Sequence, residues 1–92
     1  ICLGFFRTIV QVTNALTSRR YDTEMIRDLS RVRLNFDDMC RFYAGILKEY
    51  ESPELRKGRE EILKSTAQGM EYCANIVATI DRILSQLETF KT

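Results

Sequence analysis

The stretch MIRDLSRVRLNFDDMCRFYAGILKEY, residues 25–50, decides the fold. Ile26, Leu29, Arg33, Phe36, Cys40, Tyr43, Leu47 and Tyr50 recur at alternating steps of three and four. That is the apolar seam of a helix lying against another helix. Met25, Val32, Met39 and Ile46 widen the seam on one side. Only Arg33 interrupts it, and its aliphatic stem can lie along the core while its head stays outside. Upstream, Asp22 or Thr23 can cap the first free amides, and Glu24 complements the helix dipole. The spacing predicts one helix over about 22–51. The alternative is a fresh start at Asn35, in LNFDD, which would turn the domain into a four-helix bundle.

Downstream, Ser52 fits an N-cap and Pro53 the first helical position, where its missing amide costs nothing. Glu54 adds favourable charge in the first turn. A second seam follows through Leu63, Thr66, Met70, Cys73, Val77, Ile80, Leu84 and Leu87, broadened by Ile62, Ile76, Ile83 and Phe90. The expected helix spans about 53–90, with Gly58 and Gly69 as weak points and Arg56–Glu60 and Lys57–Glu61 as local ion pairs. Upstream of everything, Ile1, Phe5, Ile9, Val12 and Leu16 make one apolar stripe, with Arg7, Gln11, Asn14 and Ser18 opposite. The β-branched run TIVQVT would suit a strand, but no other segment alternates so as to pair with it. A first helix over about 3–18 follows.

The fold expected is therefore all-α: one domain forming an antiparallel up-down-up bundle of three unequal helices. At 1.5 Å per residue they run roughly 24, 45 and 57 Å. With the chain folded at its two corners, helix 1 lies level with about 22–38 of helix 2 and 66–82 of helix 3. It leaves the other half of the hairpin uncovered. There Tyr43, Ile46, Leu47, Tyr50, Leu55 and Ile62 form the predicted partner-binding surface, for self-association or for a partner's helix. The same levelling sets Cys2 near Cys40 and leaves Cys73 about 10 Å or more away along the axis.

Composition narrows the chemistry. Ninety-two residues with 45% apolar and 29% charged side chains suit one folded domain, and a net charge of +1 gives no pull toward polyanions. There is no histidine and no paired-cysteine motif among three cysteines, so the sequence offers neither the usual general base nor a zinc site. The carboxylate pairs Asp37–Asp38 and Glu60–Glu61 point about 100° apart on a helix and do not converge. No phosphate loop or nucleophile elbow is present. The expectation is no enzyme, no cofactor and no metal.

For nucleic acid, Arg19, Arg20, Arg27, Arg31 and Arg33 are interleaved with Asp22, Glu24 and Asp28, which makes local ion pairs the better use of them. No apolar run approaches the roughly 20 residues of a membrane span. The reading is thus a non-enzymatic protein–protein interaction or oligomerisation module, cytoplasmic, with Cys40 and Cys73 as small buried residues. The alternative is a processed secreted ligand, effector or toxin subunit stapled by a Cys2–Cys40 disulfide. The chain opens on Ile1 rather than methionine, as a processed product or an excised segment would.

Overall fold

A computed structural model describes residues 2–91, with side chains from residue 6 onward. All elements described are helices: α1 (Cys2–Ser18), α2 (Thr23–Glu49), α3 (Pro53–Arg56) and α4 (Glu60–Glu88). The all-α architecture expected from the seams is what forms, with α2 and α4 packed along each other. The chain extends 56 × 25 × 17 Å, and its radius of gyration is 17.1 Å. A compact chain of this length would have about 12 Å. The excess is the length of the α2–α4 ribbon.

Each helix end has a local cause. α1 stops at Arg19, which takes a left-handed φ of 53° and lets the Arg20 amide bond the Ala15 carbonyl at 3.0 Å. Of the two candidate caps before α2, Asp22 serves. Its Oδ1 accepts from the amides of Glu24 (3.0 Å) and Met25 (3.4 Å). α2 then runs unbroken through Asn35, so the restart in LNFDD does not occur.

The second corner departs from expectation. The sequence reading carried one helix from 53 to 90, whereas Pro53–Arg56 form a single turn before the chain breaks at Lys57–Arg59. Lys57 is extended and Gly58 sits at φ 81°, a conformation that a glycine adopts without the steric penalty of a Cβ. Gly58 was thus more than a weak point. The break also puts Arg56 and Lys57 outside α4, so they no longer lie one helical turn before Glu60 and Glu61. Arg59 ties the corner together: its Nη1 donates to the Leu55 carbonyl at 2.8 Å, and its guanidinium lies 5.4 Å from the centre of the Tyr50 ring.

This corner sets the register of the ribbon. Three contacts fix it: Arg33 with Asp81, the Cys40 thiol with the Met70 carbonyl, and the Tyr43 ring against Gly69. They place Asp38 level with Ala74 and Asn75, where levelling from the sequence put it beside Thr66. The slip is about eight residues, roughly 12 Å along the axis. Residues 50–59 cause it by making the corner without advancing along either long helix.

Gly69, the other expected weak point, stays helical because the ribbon needs it. A Cβ there would meet Tyr43 Cε2 at 3.2 Å. Gly45, in α2, has nothing within 4 Å of the same position. Gly45→Ala should therefore gain the full helix-propensity difference, about 0.5–1 kcal/mol, while Gly69→Ala falls short of it. Paired urea melts check this, and equal gains would contradict the close approach at Gly69.

The core sits at one end of the ribbon. Val12, Ala15, Met25, Leu29, Ile80 and Leu87 are buried together, with Leu16, Ile26, Val32, Phe36, Ile76, Ile83, Leu84 and Phe90 packed around them. Tyr21, at the α1–α2 corner, closes this end by meeting Glu88 (3.5 Å) and the Lys91 ammonium (5.6 Å from the ring centre). α1 is rotated from its expected stripe. Thr8, Val12 and Ala15 face inward, while Ile9 is 46% exposed. The small side chain at 15 lets α1 approach the corner closely. Ile9 is left on the edge of an apolar cleft of about 470 Å³ between α1 and α4. Of the expected stripe, the Ile1 and Phe5 side chains lie outside the described residues.

Candidate partner-binding face

The positions that widen the two seams acquire a role once α1 is in place. Along α2 they are Met25, Val32, Met39 and Ile46, and along α4 they are Ile62, Ile76, Ile83 and Phe90. Seven-residue spacing keeps each set on one side of its helix. α1 lies on that side, where Thr8, Ile9, Val12 and Leu16 face Leu29 and Val32 of α2 and Ile76 and Ile83 of α4. Six residues from Thr8 back to Cys2 carry α1 about 9 Å further, to the level of Asp38. The apolar face does not end there. Past α1 it continues with Met39 (43% exposed), Phe42 (66%) and Ile62 (68%), flanked by half-buried Tyr43 and Ile46, while Tyr72 borders the α1 cleft itself.

The rings of Phe42 and Tyr43 stand 6.1 Å apart, tilted by 53°. Tyr43 also lines a depression of about 410 Å³ with Glu61, Ile62, Ser65 and Thr66. The rim of this face is acidic. Asp38, one turn before Phe42, and Glu49, two turns after it, share its side of α2, and Glu61 closes the depression on α4; all three are exposed. The nearby cation Arg41 points elsewhere and holds Asp37 at 3.0 Å.

The six residues expected to form one surface are divided between faces. Tyr43, Ile46 and Ile62 belong to the face just described. Leu47 lines a different groove of about 770 Å³ on the opposite side, with Ala44, Lys48, Arg56, Leu63 and Lys64. Tyr50 is half-buried beneath Arg59, and Leu55 stands 45% exposed on α3. Sequence reasoning left Met39 and Phe42 out of the site. Met39 and Phe42 carried a signal, being apolar and adjacent to the seam beyond the reach of helix 1. Tyr72, which levelling from the sequence placed beneath helix 1, does line the cleft beside Thr8 and Ile9 of α1.

Arg33, the interruption in the α2 seam, is resolved by a partner the sequence did not identify. Its Nε and Nη2 grip both carboxylate oxygens of Asp81 on α4, the latter at 3.3 Å. The hydrogen bond from Arg33, aided by its charge, holds the Asp81 carboxyl below the usual carboxylate range despite some desolvation. A carboxyl depressed in the folded state contributes stability above its unfolded pKa and loses it as pH falls through the folded value. Asp81→Asn should therefore lower the urea midpoint at neutral pH and leave it unchanged at strongly acidic pH. A loss of equal size at both would remove the ion pair as its cause.

Cys40 and Cys73 are free thiols, the first half-buried and the second buried. The Cys2 side chain, and with it the expected Cys2–Cys40 pairing, lies outside the described residues. The expected 10 Å separation of Cys40 from Cys73 does not hold: the register brings Cys40 to the turn that ends at Cys73. No group of side chains suited to a metal ion occurs among the described residues, and none of their helices is long and apolar enough to cross a membrane. The chain matches no protein-family model, no curated protein and no solved structure.

Proposed function

We propose that this protein is a non-enzymatic interaction module whose uncovered α2–α4 face receives an amphipathic helix from a partner protein, in line with α1. One observation carries the reading: the apolar stripe that seats α1 continues beyond it through Met39, Phe42 and Ile62, all exposed. Large aromatic side chains on a continuous apolar face are the usual anchors of such contacts. The acidic rim of Asp38, Glu49 and Glu61 favours a partner helix with cationic flanks. The same rim disfavours two copies meeting through this face, since acids would oppose acids. Two free thiols accord with a reducing compartment such as the cytoplasm.

The test uses a synthetic amphipathic helix with a leucine face and lysine flanks, followed by fluorescence anisotropy at low and raised salt. Binding should weaken with salt and fall at least tenfold in the Phe42→Glu/Ile62→Glu double variant, a loss of about 1.4 kcal/mol or more. Leu47→Glu, on the opposite face, should bind as the parent does. Equal losses in both variants, or concentration-dependent dimerisation that Phe42→Glu/Ile62→Glu abolishes, would overturn the assignment.

A further inference from the structure

We infer that Cys40 and Cys73 are an oxidisable pair, joined under oxidising conditions by an intramolecular disulfide that staples α2 to α4 midway along the ribbon. The geometry comes from the helices themselves. The Cys40 Sγ lies 3.6 Å from the carbonyl oxygen of Met70. On an α-helix, a side chain leans back toward the N-terminus over the turn before it, so the Cys73 side chain covers the carbonyl of Met70. The Cys40 sulfur therefore reaches the turn over which the Cys73 side chain leans. Arg33–Asp81 on one side of this layer and Tyr43–Gly69 on the other hold the two helices in that register. Neither thiol is engaged in a disulfide.

The two sulfurs differ in access, and that orders the chemistry. Half-buried Cys40 meets an oxidant first, while Cys73 is 4% exposed. With hydrogen peroxide as oxidant, the Cys40 thiolate attacks one oxygen. An S–O bond forms, the O–O bond breaks, and hydroxide leaves to become water, giving the sulfenic acid. The Cys73 thiolate then attacks the Cys40 sulfur. The S–S bond forms as the S–O bond breaks, and the departing hydroxide takes up a proton. Two thiols and one peroxide yield one disulfide and two waters. Burial, and then the neighbouring Cys40, push the Cys73 thiol above its ordinary pKa, which keeps it from reacting with bulk oxidant on its own. The second step should accelerate as pH rises.

The proposal stands apart from the partner-binding reading, since it requires no partner. Yet Cys40 adjoins Met39 in sequence, so the staple would fix the α2 edge of that face. The full chain, reduced and then treated with hydrogen peroxide, gives the test. Alkylation should label one thiol where the reduced chain labels three, and the intact mass should fall by two hydrogens. Digestion with trypsin should yield peptides 34–41 and 65–82 linked, released by dithiothreitol. The thermal midpoint of the oxidised chain should rise above that of the reduced one. Cys2→Ser should form the same link and leave no thiol to alkylate. Three thiols still free, sulfinic acid at Cys40 without a bridge, or linkage through Cys2 or between chains would each overturn the pairing. The peptide map reads the outcome on the parent chain, so no core variant has to fold.

Discussion

Leu87→Ala is expected to cost about 2–5 kcal/mol, read as a lower urea midpoint with an unchanged slope. Among the described residues, Leu87 is the largest side chain that is wholly buried. It packs where the inward face of α1, the start of α2 and the end of α4 meet, among Val12, Ala15, Met25, Leu29 and Ile80. Removing three carbons there forfeits their transfer energy and leaves a cavity. Neighbours anchored on three separate helices cannot collapse together to fill it. Elsewhere the ribbon is only two helices thick, and although Leu63 and Cys73 are buried there, most of the buried apolar side chains belong to this cluster. For a domain whose whole stability is about 5–15 kcal/mol, the loss is a large share. Ile62→Ala, by contrast, should change stability by less than about 0.5 kcal/mol, because that side chain is exposed. Comparable losses at the two positions would mean that the core is not concentrated at the closed end.

Ala15→Leu is expected to destabilise by about 1–3 kcal/mol, and to do so by loosening α1 rather than by unfolding the ribbon. Ala15 has no exposed surface, and its carbonyl accepts the Arg20 amide that closes the helix. Extra carbons have no space on the side facing the core, so α1 must back away from Met25 and Leu87. The 470 Å³ cleft already separates much of α1 from α4, which leaves Val12 and Ala15 to hold it. Arg19 and Arg20 are exposed in the connecting corner, so limited trypsin digestion reports the detachment. Cleavage there should quicken several-fold while the circular dichroism of α2 and α4 persists. Uniform digestion of the whole chain would point to global unfolding instead.

Much of the fold was legible because helices announce themselves through spacing. The seam from Ile26 to Tyr50 required a long α2, and Asp22 and Glu24 marked where it starts. The Leu63–Leu87 seam required α4 in the same way. What was misread had specific causes. Ser52–Pro53 does open a helix, but Gly58 ends it after one turn, and helical spacing alone does not reveal a left-handed glycine. Ala15 faces the core because it is small enough for α1 to come close, whereas the larger Ile9 had defined the expected stripe. The candidate face was half visible: Tyr43, Ile46 and Ile62 belong to it as expected, while Met39 and Phe42, apolar and beside the seam, join it once the position of α1 is known.

The sequence by itself determined which elements form and which side of each is apolar, since a period of three to four residues specifies direction around a helix axis. It did not determine position along that axis. A heptad seam looks much the same after sliding by seven residues, so the pattern permits several registers of α2 against α4. The tertiary structure chose among them through contacts that are not periodic: the corner at residues 50–59, the Tyr43 ring on Gly69, and the Arg33–Asp81 pair. That choice brings Cys40 to the turn that ends at Cys73.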